Sequence, residues 1–312
     1  MGKNDLQVLI IGYGIQGKKR KHNSKNVFAV VDPISNEADF KNIKEVPEDK
    51  YDAAFICTND AEKYNLINFL IEKKKHILVE KPLSFESKDV YKNFEKSLKK
   101  NNLVLYTAYN HRFEPHFIKM KELIKSKKLG KIYNLRIFYG NGTSQLVKNS
   151  SWRDTDPGVL SDLGSHVFDA LDFWIEDIKT FSFQPTCAAN YETKSFDYAF
   201  IHSSNPEKPF IQIELSMLSW RNSFTCDIYG ELGSAHINSL CKWGPSTFTY
   251  RKRVFPSGRP SEENQILIKD DPTWELEFNH FIDICLKSKK PNLNKDIWIN
   301  EVIKNLNKKI IF

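Results

Sequence analysis

The chain has 312 residues, 40% of them hydrophobic and 27% charged, with 46 Lys and Arg against 39 Asp and Glu for a formal charge of +7. This length and apolar fraction suit a globular core in one large or two medium domains, and no apolar run reaches the roughly 18 residues of a membrane span. Cys57, Cys187, Cys226, Cys241 and Cys285 are odd in number, widely spaced and without a CxxC pair, which speaks against a disulfide framework and against a thiolate zinc site.

The first residues run directly into an apolar strand without the basic, apolar and small-residue order of a signal peptide, so a soluble, cytoplasmic protein is expected. Residues 6–11, 26–32, 51–58, 76–79 and 104–108 are short apolar runs, with helical patterns at 62–74 and 87–101. Strands buried on both faces and alternating with helices predict a parallel, doubly wound sheet. Beyond residue 115 the pattern changes. A helix is expected over 115–128, a strand over 131–139 and an apolar helix over 162–175. Alternating runs at 180–186, 196–203, 210–218, 224–229, 234–239 and 247–254 then predict a mostly antiparallel sheet with one face open to water. Helices at 273–287 and 296–308 close the chain. The expected division is residues 1–115 and 116–312, an α/β domain followed by an α+β domain.

The positive charge sits largely in lysine clusters at residues 18–21, 73–75, 99–100, 127–128 and 289–290. Most follow amphipathic segments, where cations favour the carboxyl end of a helix. No zinc finger, aromatic RNA-binding motif or helix-turn-helix pattern accompanies them, so no nucleic-acid partner is expected. A basic background would still draw in an anionic small molecule.

Three constellations carry chemistry. Gly12, Tyr13, Gly14, Ile15, Gln16 and Gly17 form a GxGxxG directly after the first strand. Gly12 allows the tight turn, Gly14 the approach of a pyrophosphate, and Gly17 close packing of a helix whose amino end faces the anion. Asp32 ends the second strand 20 residues after Gly12, where a carboxylate can bind ribose hydroxyls. It repels a 2′-phosphate and favours NAD, while the neighbouring lysines keep NADP as the alternative. Only 14 residues separate Gly17 from Asp32, so the helix between them must be about two turns long. A glycine turn in an unrelated protein would give the same local pattern.

Glu80, Lys81 and Pro82 follow the fourth strand, and ligands of open α/β sheets sit at the carboxyl ends of strands. Proline imposes an extended backbone on Lys81 and permits a cis bond, although the tripeptide alone could be a surface turn. Asp162 and His166, at i and i+4, share one helical face. A carboxylate one turn from an imidazole can orient it for acid–base work. Equally, Asp162 could cap the helix and His166 could be a satisfied core histidine.

Taken together and in this order, these features resemble the Gfo/Idh/MocA family of oxidoreductases. The resemblance also includes Cys57-Thr58-Asn59-Asp60, Tyr109-Asn110-His111-Arg112-Phe113, Ser151-Trp152-Arg153-Asp154 and Asp162-Leu163-Gly164-Ser165-His166. It implies a Rossmann domain followed by a domain with a large open sheet, whose face often builds homodimers or homotetramers. It also implies hydride transfer between NAD(P) and a carbinol carbon of a sugar, cyclitol or nucleotide-linked sugar, with no metal.

Carried over by residue, Lys81 and His166 are the proton-transfer pair and Asp162 their carboxylate partner. Thr58, Asn59, Glu80 and Pro82 join the glycine loop as cofactor contacts. Asn110, Arg112 and Arg153 are expected substrate contacts, Arg153 the best suited to a carboxylate or phosphate. Two departures stand out. Relatives commonly carry a Gly-Gly pair or triplet where this chain has Asp156-Pro157-Gly158-Val159, which bears on substrate more than on reaction. Lys63 stands where relatives often have His, so a cofactor contact is lost there or replaced. The alternatives are a reductase of a keto-sugar, imine or enone, and a non-catalytic sensor of NAD or sugar.

Overall fold

The computed structural model describes residues 6–150, 152–155, 157–203 and 205–310. Ser151 and Asp156 lie outside them. The chain divides into two compact units, residues 1–110 with 273–300 and residues 111–272 with 301–312.

In the first unit β1 (Val8–Ile11), α1 (Ile15–Asn23), β2 (Val27–Val31), β3 (Ala53–Ile56), α2 (Asp60–Glu72), β4 (His76–Glu80), α3 (Lys88–Lys100) and β5 (Leu105–Ala108) follow in order. The sheet runs β2-β1-β3-β4-β5, every pair parallel. Because successive side chains point to opposite faces, Leu9 and Ile11 enter one core with Ile67, Leu70, Tyr91 and Phe94, while Val8 and Ile10 enter another. The strand order reverses at β1 and β3, which opens the ligand crevice at their carboxyl ends.

The second core face is covered from far along the chain. Helix α1 has nine residues, four of them Lys or Arg, and buries only Gly17 and Arg20. Phe278 and Phe281, from a helix near the end of the chain, instead set their rings edge-on to Phe55 at 6.1 and 5.4 Å.

The second unit holds α4 (Pro115–Lys125), β6 (Ile132–Gly140), α5 (Ser144–Lys148), a π-helical turn Leu160–Gly164, α6 (Ser165–Trp174), β7 (Phe183–Ala189), β8 (Tyr198–Ser203), β9 (Phe210–Ser216), β10 (Ser223–Gly230), β11 (Gly233–Asn238), β12 (Ser246–Lys252) and β13 (Ser261–Leu267). Helix α7 (Thr273–Leu286) returns to the first unit, and α8 (Asn294–Ile310) contributes to both. The sheet runs β13-β12-β11-β10-β6-β9-β8-β7, antiparallel except at β6/β9. Leu135, Ile137, Ile211, Ile213, Cys226 and Ile228 are buried, while Arg136, Gln212 and Asp227 alternate with them on the open face.

Several sequence expectations shift. The strand expected at 180–186 begins at Phe183, because Ile178–Thr180 forms a 3-10 turn, and it tolerates Pro185 at the sheet edge. Strand β13 leaves no signature in the sequence, because its SEENQIL has no apolar alternation and no buried residue. It is an edge strand held by the ladder to β12, with Arg251 paired to Glu262 at 2.7 Å. The single helix expected over 162–175 is a π turn followed by an α-helix. Among the described residues, no helix is long and apolar enough to cross a membrane.

Candidate active site

The glycine loop leaves β1 under three different constraints. Gly12 has φ +92°, and a Cβ there would stand 2.8 Å from the Cys57 carbonyl oxygen. A Cβ on Gly17 would meet the Gly12 carbonyl oxygen at 1.9 Å, so the helix can pack this closely only with glycine. Above Gly14 the space is open, and a Cβ there would have nothing within 4 Å. Gly14 caps α1 without a side-chain hydrogen bond, and the first turn carries no acid. Gly14, Ile15 and Gln16 are exposed. Free first-turn amides beside open space fit a pyrophosphate.

Asp32 accepts hydrogen bonds from the Tyr13 N–H at 2.7 Å and from the Ile34 and Ser35 N–H groups at 2.8 Å. Burial raises its carboxyl, but the N–H groups of Tyr13, Ser35 and Ile34, with Lys41 nearby, outweigh this and hold it below the usual carboxylate value. Its charge is therefore fixed at the end of β2, beside the loop. The ammonium groups of Lys18 and Lys21 stand over the Tyr13 ring at 5.4 and 5.2 Å. Thr58 and Asn59 follow β3, with Thr58 Cγ2 next to Gly12; the Asn59 side chain caps α2 by accepting the Glu62 N–H.

At the end of β4 the Lys81–Pro82 bond is cis. Glu80 is buried, and its Oε1 accepts from Arg20 Nε at 2.7 Å. Arg20 Nη2 lies 2.7 Å from Glu277 Oε2, and the guanidinium also stacks on Trp274 at 4.4 Å. Burial pushes Glu277 up to about 7 against the pull of Arg20, and the Glu80 carboxylate adds to the rise. Two buried acids thus share one guanidinium directly behind the Glu80-Lys81-Pro82 turn. Asn110 is buried and donates from Nδ2 to Thr273 Oγ1 at 2.7 Å.

In the second unit Asp162 lies on the π turn and His166 on the first turn of α6. Single π turns are frequent at functional sites. Gly164 lets this segment approach the sheet, since a Cβ there would stand 3.0 Å from Leu215 Cδ1. His166 stacks on His111 with ring centroids 4.0 Å apart and planes 18° from parallel. Lys242 Nζ is 2.9 Å from His111 Nε2. An ammonium only donates, so a charged Lys242 would donate its hydrogen bond to this ring nitrogen. Arg153 Nη2 is 3.2 Å from Asp162 Oδ2.

Arg112 is placed differently. Its Nε is 2.7 Å from Asp169 Oδ2 and its Nη2 is 2.8 Å from Asp172 Oδ2, so its charge is already balanced along α6. In the altered loop Gly158 has φ +56°, and a Cβ would meet the Phe196 carbonyl oxygen at 2.3 Å.

Lys81 thus belongs to the first unit and His166, Asp162 and Arg153 to the second. The sequence pattern alone did not mark Glu277 or Lys242; it placed Arg20 only within the basic run at 18–21 and marked Lys63 only as the residue standing where relatives often have His. Lys63 and Glu277 did leave a trace, because each occupies the buried face of its helix alongside apolar residues.

Among the described residues, one group has ligand atoms spaced for a metal: Glu114, Cys241 and Asp271, within 4.8 Å of one another. Burial pushes both the Glu114 carboxyl and the Cys241 thiol upward, and Glu114 Oε2 already accepts the Cys241 N–H at 3.2 Å.

Comparison with known proteins follows the same division. Residues 6–109 match the oxidoreductase family with an NAD-binding Rossmann fold, and residues 117–236 match the GFO/IDH/MocA C-terminal domain. A myo-inositol 2-dehydrogenase of Thermotoga maritima is 35% identical over 102 residues, 32% of this chain and 30% of the relative. The matched stretches span about a third of the length of the curated relatives. A putative NADPH-dependent oxidoreductase from Desulfitobacterium hafniense superposes with a TM-score of 0.84 at 15% identity, covering 99% of this chain and 96% of the other. An inositol dehydrogenase homologue from Azotobacter vinelandii, crystallised with NADH and myo-inositol, gives 0.76 at 13% identity, covering 99% and 96%.

Proposed function

The chain belongs to the Gfo/Idh/MocA family of oxidoreductases, and on that premise we propose that it is an NAD-dependent dehydrogenase acting on a carbinol carbon of a sugar, cyclitol or nucleotide-linked sugar. The observation that carries this reading is the glycine loop: open space above Gly14, uncapped first-turn amides, and an ionised Asp32 beside them. Gly12 to Gly17, Thr58, Asn59 and the Glu80-Lys81-Pro82 turn would hold the cofactor. When bound, its nicotinamide supplies the acceptor or donor of the hydride.

The protein's own groups handle the proton. Oxidising an alcohol requires a base at the hydroxyl, and in this reading His166 takes that proton. The His166 ring is stacked on that of His111, with centroids 4.0 Å apart, which fixes the plane in which it can meet a substrate hydroxyl. Lys81 supplies positive charge where alkoxide character develops. Asp162 is the carboxylate neighbour of His166, and Arg153 beside it is the candidate for an acidic or phosphorylated substituent. Arg112 and Asn110 act as braces, because their polar groups are engaged within their own units. The open face of the eight-stranded sheet, with Arg136 and Gln212, would serve a homodimer or homotetramer.

The test is titration of the purified chain with NADH and NADPH, followed by a turnover panel of myo-inositol, other cyclitols, aldoses and aldonic or nucleotide-linked sugars. Cofactor binding and NADH formation on one class are expected. Absence of cofactor binding overturns the reading; binding without turnover in either direction points to a sensor.

Cofactor choice gives a separate expected result. Asp32→Ala removes the carboxylate that would meet the ribose hydroxyls, a charge-assisted bond worth about 1.5–3 kcal/mol. NAD binding should weaken roughly ten- to a hundredfold and its advantage over NADP should narrow. Equal NAD affinity in Asp32→Ala, read by quenching of protein fluorescence, would remove this role.

A further inference from the structure

We infer that Lys63 is a positioning residue for Lys81, its buried ammonium clasping the backbone carbonyls on either side of that lysine. This rests on the reading of Lys81 as a catalytic lysine. Lys63 is the fourth residue of α2, and its side chain is 2% exposed. Its Nζ donates to the Glu80 carbonyl oxygen at 2.6 Å and to the Pro82 carbonyl oxygen at 2.7 Å, and lies 2.6 Å from Asp60 Oδ1. An ammonium has three donors, and these three acceptors use all of them. The residue between the two carbonyls is Lys81.

The position is costly for a charge. Lys63 shares the buried face of α2 with Ile67, Leu70 and Ile71, where burial lowers its pKa against the support of Asp60. Taking an ion out of water is unfavourable by several kcal/mol unless its bonds are well made. An apolar residue would complete the stripe at lower cost, but it would take the Lys63 donor from the buried Glu80 carbonyl and the half-buried Pro82 carbonyl, and leave the turn without its clamp. The Glu80 side chain is held separately by Arg20. Side chain and main chain around Lys81 are therefore fixed from two different helices, α1 and α2.

A clamp of this kind sets where the Lys81 ammonium points, and an error of about 1 Å at a reacting group costs up to roughly a hundredfold in rate. The first readout needs no substrate. Lys81 is labelled with limiting acetic anhydride across pH in the NADH-bound protein, and its rate is compared by mass spectrometry with that of exposed Lys96 on α3. In Lys63→Met the relative rate at Lys81 should change by roughly tenfold as its ammonium is displaced, and Lys63→Arg should restore it in part. Lys63→Gln, which keeps two donors, serves if the Met variant does not fold, with an intermediate change expected.

The second readout is a cycle on whichever substrate turns over. If Lys63 acts through Lys81, Lys63→Met lowers kcat with little effect on KM in the wild type and lowers it no further in Lys81→Ala. Unchanged labelling of Lys81, or equal losses of kcat in both backgrounds, overturns the inference. A Lys81→Ala variant with normal turnover would instead remove the catalytic reading on which it rests.

Discussion

His166→Ala is expected to lower kcat by about 10²–10⁴ while cofactor affinity stays within a few-fold of wild type. Lys81→Ala should cost a similar factor, because in the proposed reaction it removes the charge at the oxygen where alkoxide develops. The two variants should differ in pH dependence. In His166→Ala the limb of the kcat/KM profile that reports the base should disappear; in Lys81→Ala it should persist with a lower plateau. The geometry behind this distinction is the stack of His166 on His111, itself in contact with Lys242. Near-normal rates in either variant, measured by steady-state NADH formation, would withdraw that residue from the chemistry.

Arg20→Met should destabilise the fold more than any of the other substitutions, by about 3–5 kcal/mol. The guanidinium is 2% exposed and pairs with Glu80 and Glu277, the latter fully buried. Without it two carboxylates face each other in a dry interior. Arg20→Lys should recover part of the loss, since it restores the charge but not the planar fork that reaches both acids. In the double variant Arg20→Met/Glu277→Leu the loss should shrink, because one unpaired acid leaves with its partner. Urea unfolding of the first unit's signal measures all three. An Arg20→Met midpoint equal to wild type would mean that the buried pairs contribute nothing.

The same residues mark how far a linear reading goes. The five parallel strands, the two-turn α1, the glycine loop and Asp32 were legible, since each depends on a period of two or 3.6 residues or on a few adjacent positions. The four-residue spacing of Asp162 and His166 was legible for the same reason, although the π turn that carries Asp162 was not, because its extra residue leaves no compositional mark. Strand β13 was missed because an edge strand needs only a partner ladder and no apolar face.

Lys63 and Glu277 interrupt apolar stripes, which signals a buried charge but not its counterpart. Arg112 shows the converse limit. Its place in a family motif suggested a ligand contact, and only the packing of α6 disclosed that Asp169 and Asp172 already balance it.

The sequence by itself thus determined the class of fold, the family and the short motifs, because local spacing decides which residues share a strand face or a helical turn. Tertiary structure decided which charges are spent on one another. Arg20 meets Glu80 and Glu277, Lys63 meets the carbonyls around Lys81, and α7 returns to cover the sheet that α1 is too short and too charged to cover. Those pairings join segments far apart along the chain, and burial in a common low-dielectric interior, which no local period encodes, is what makes them necessary.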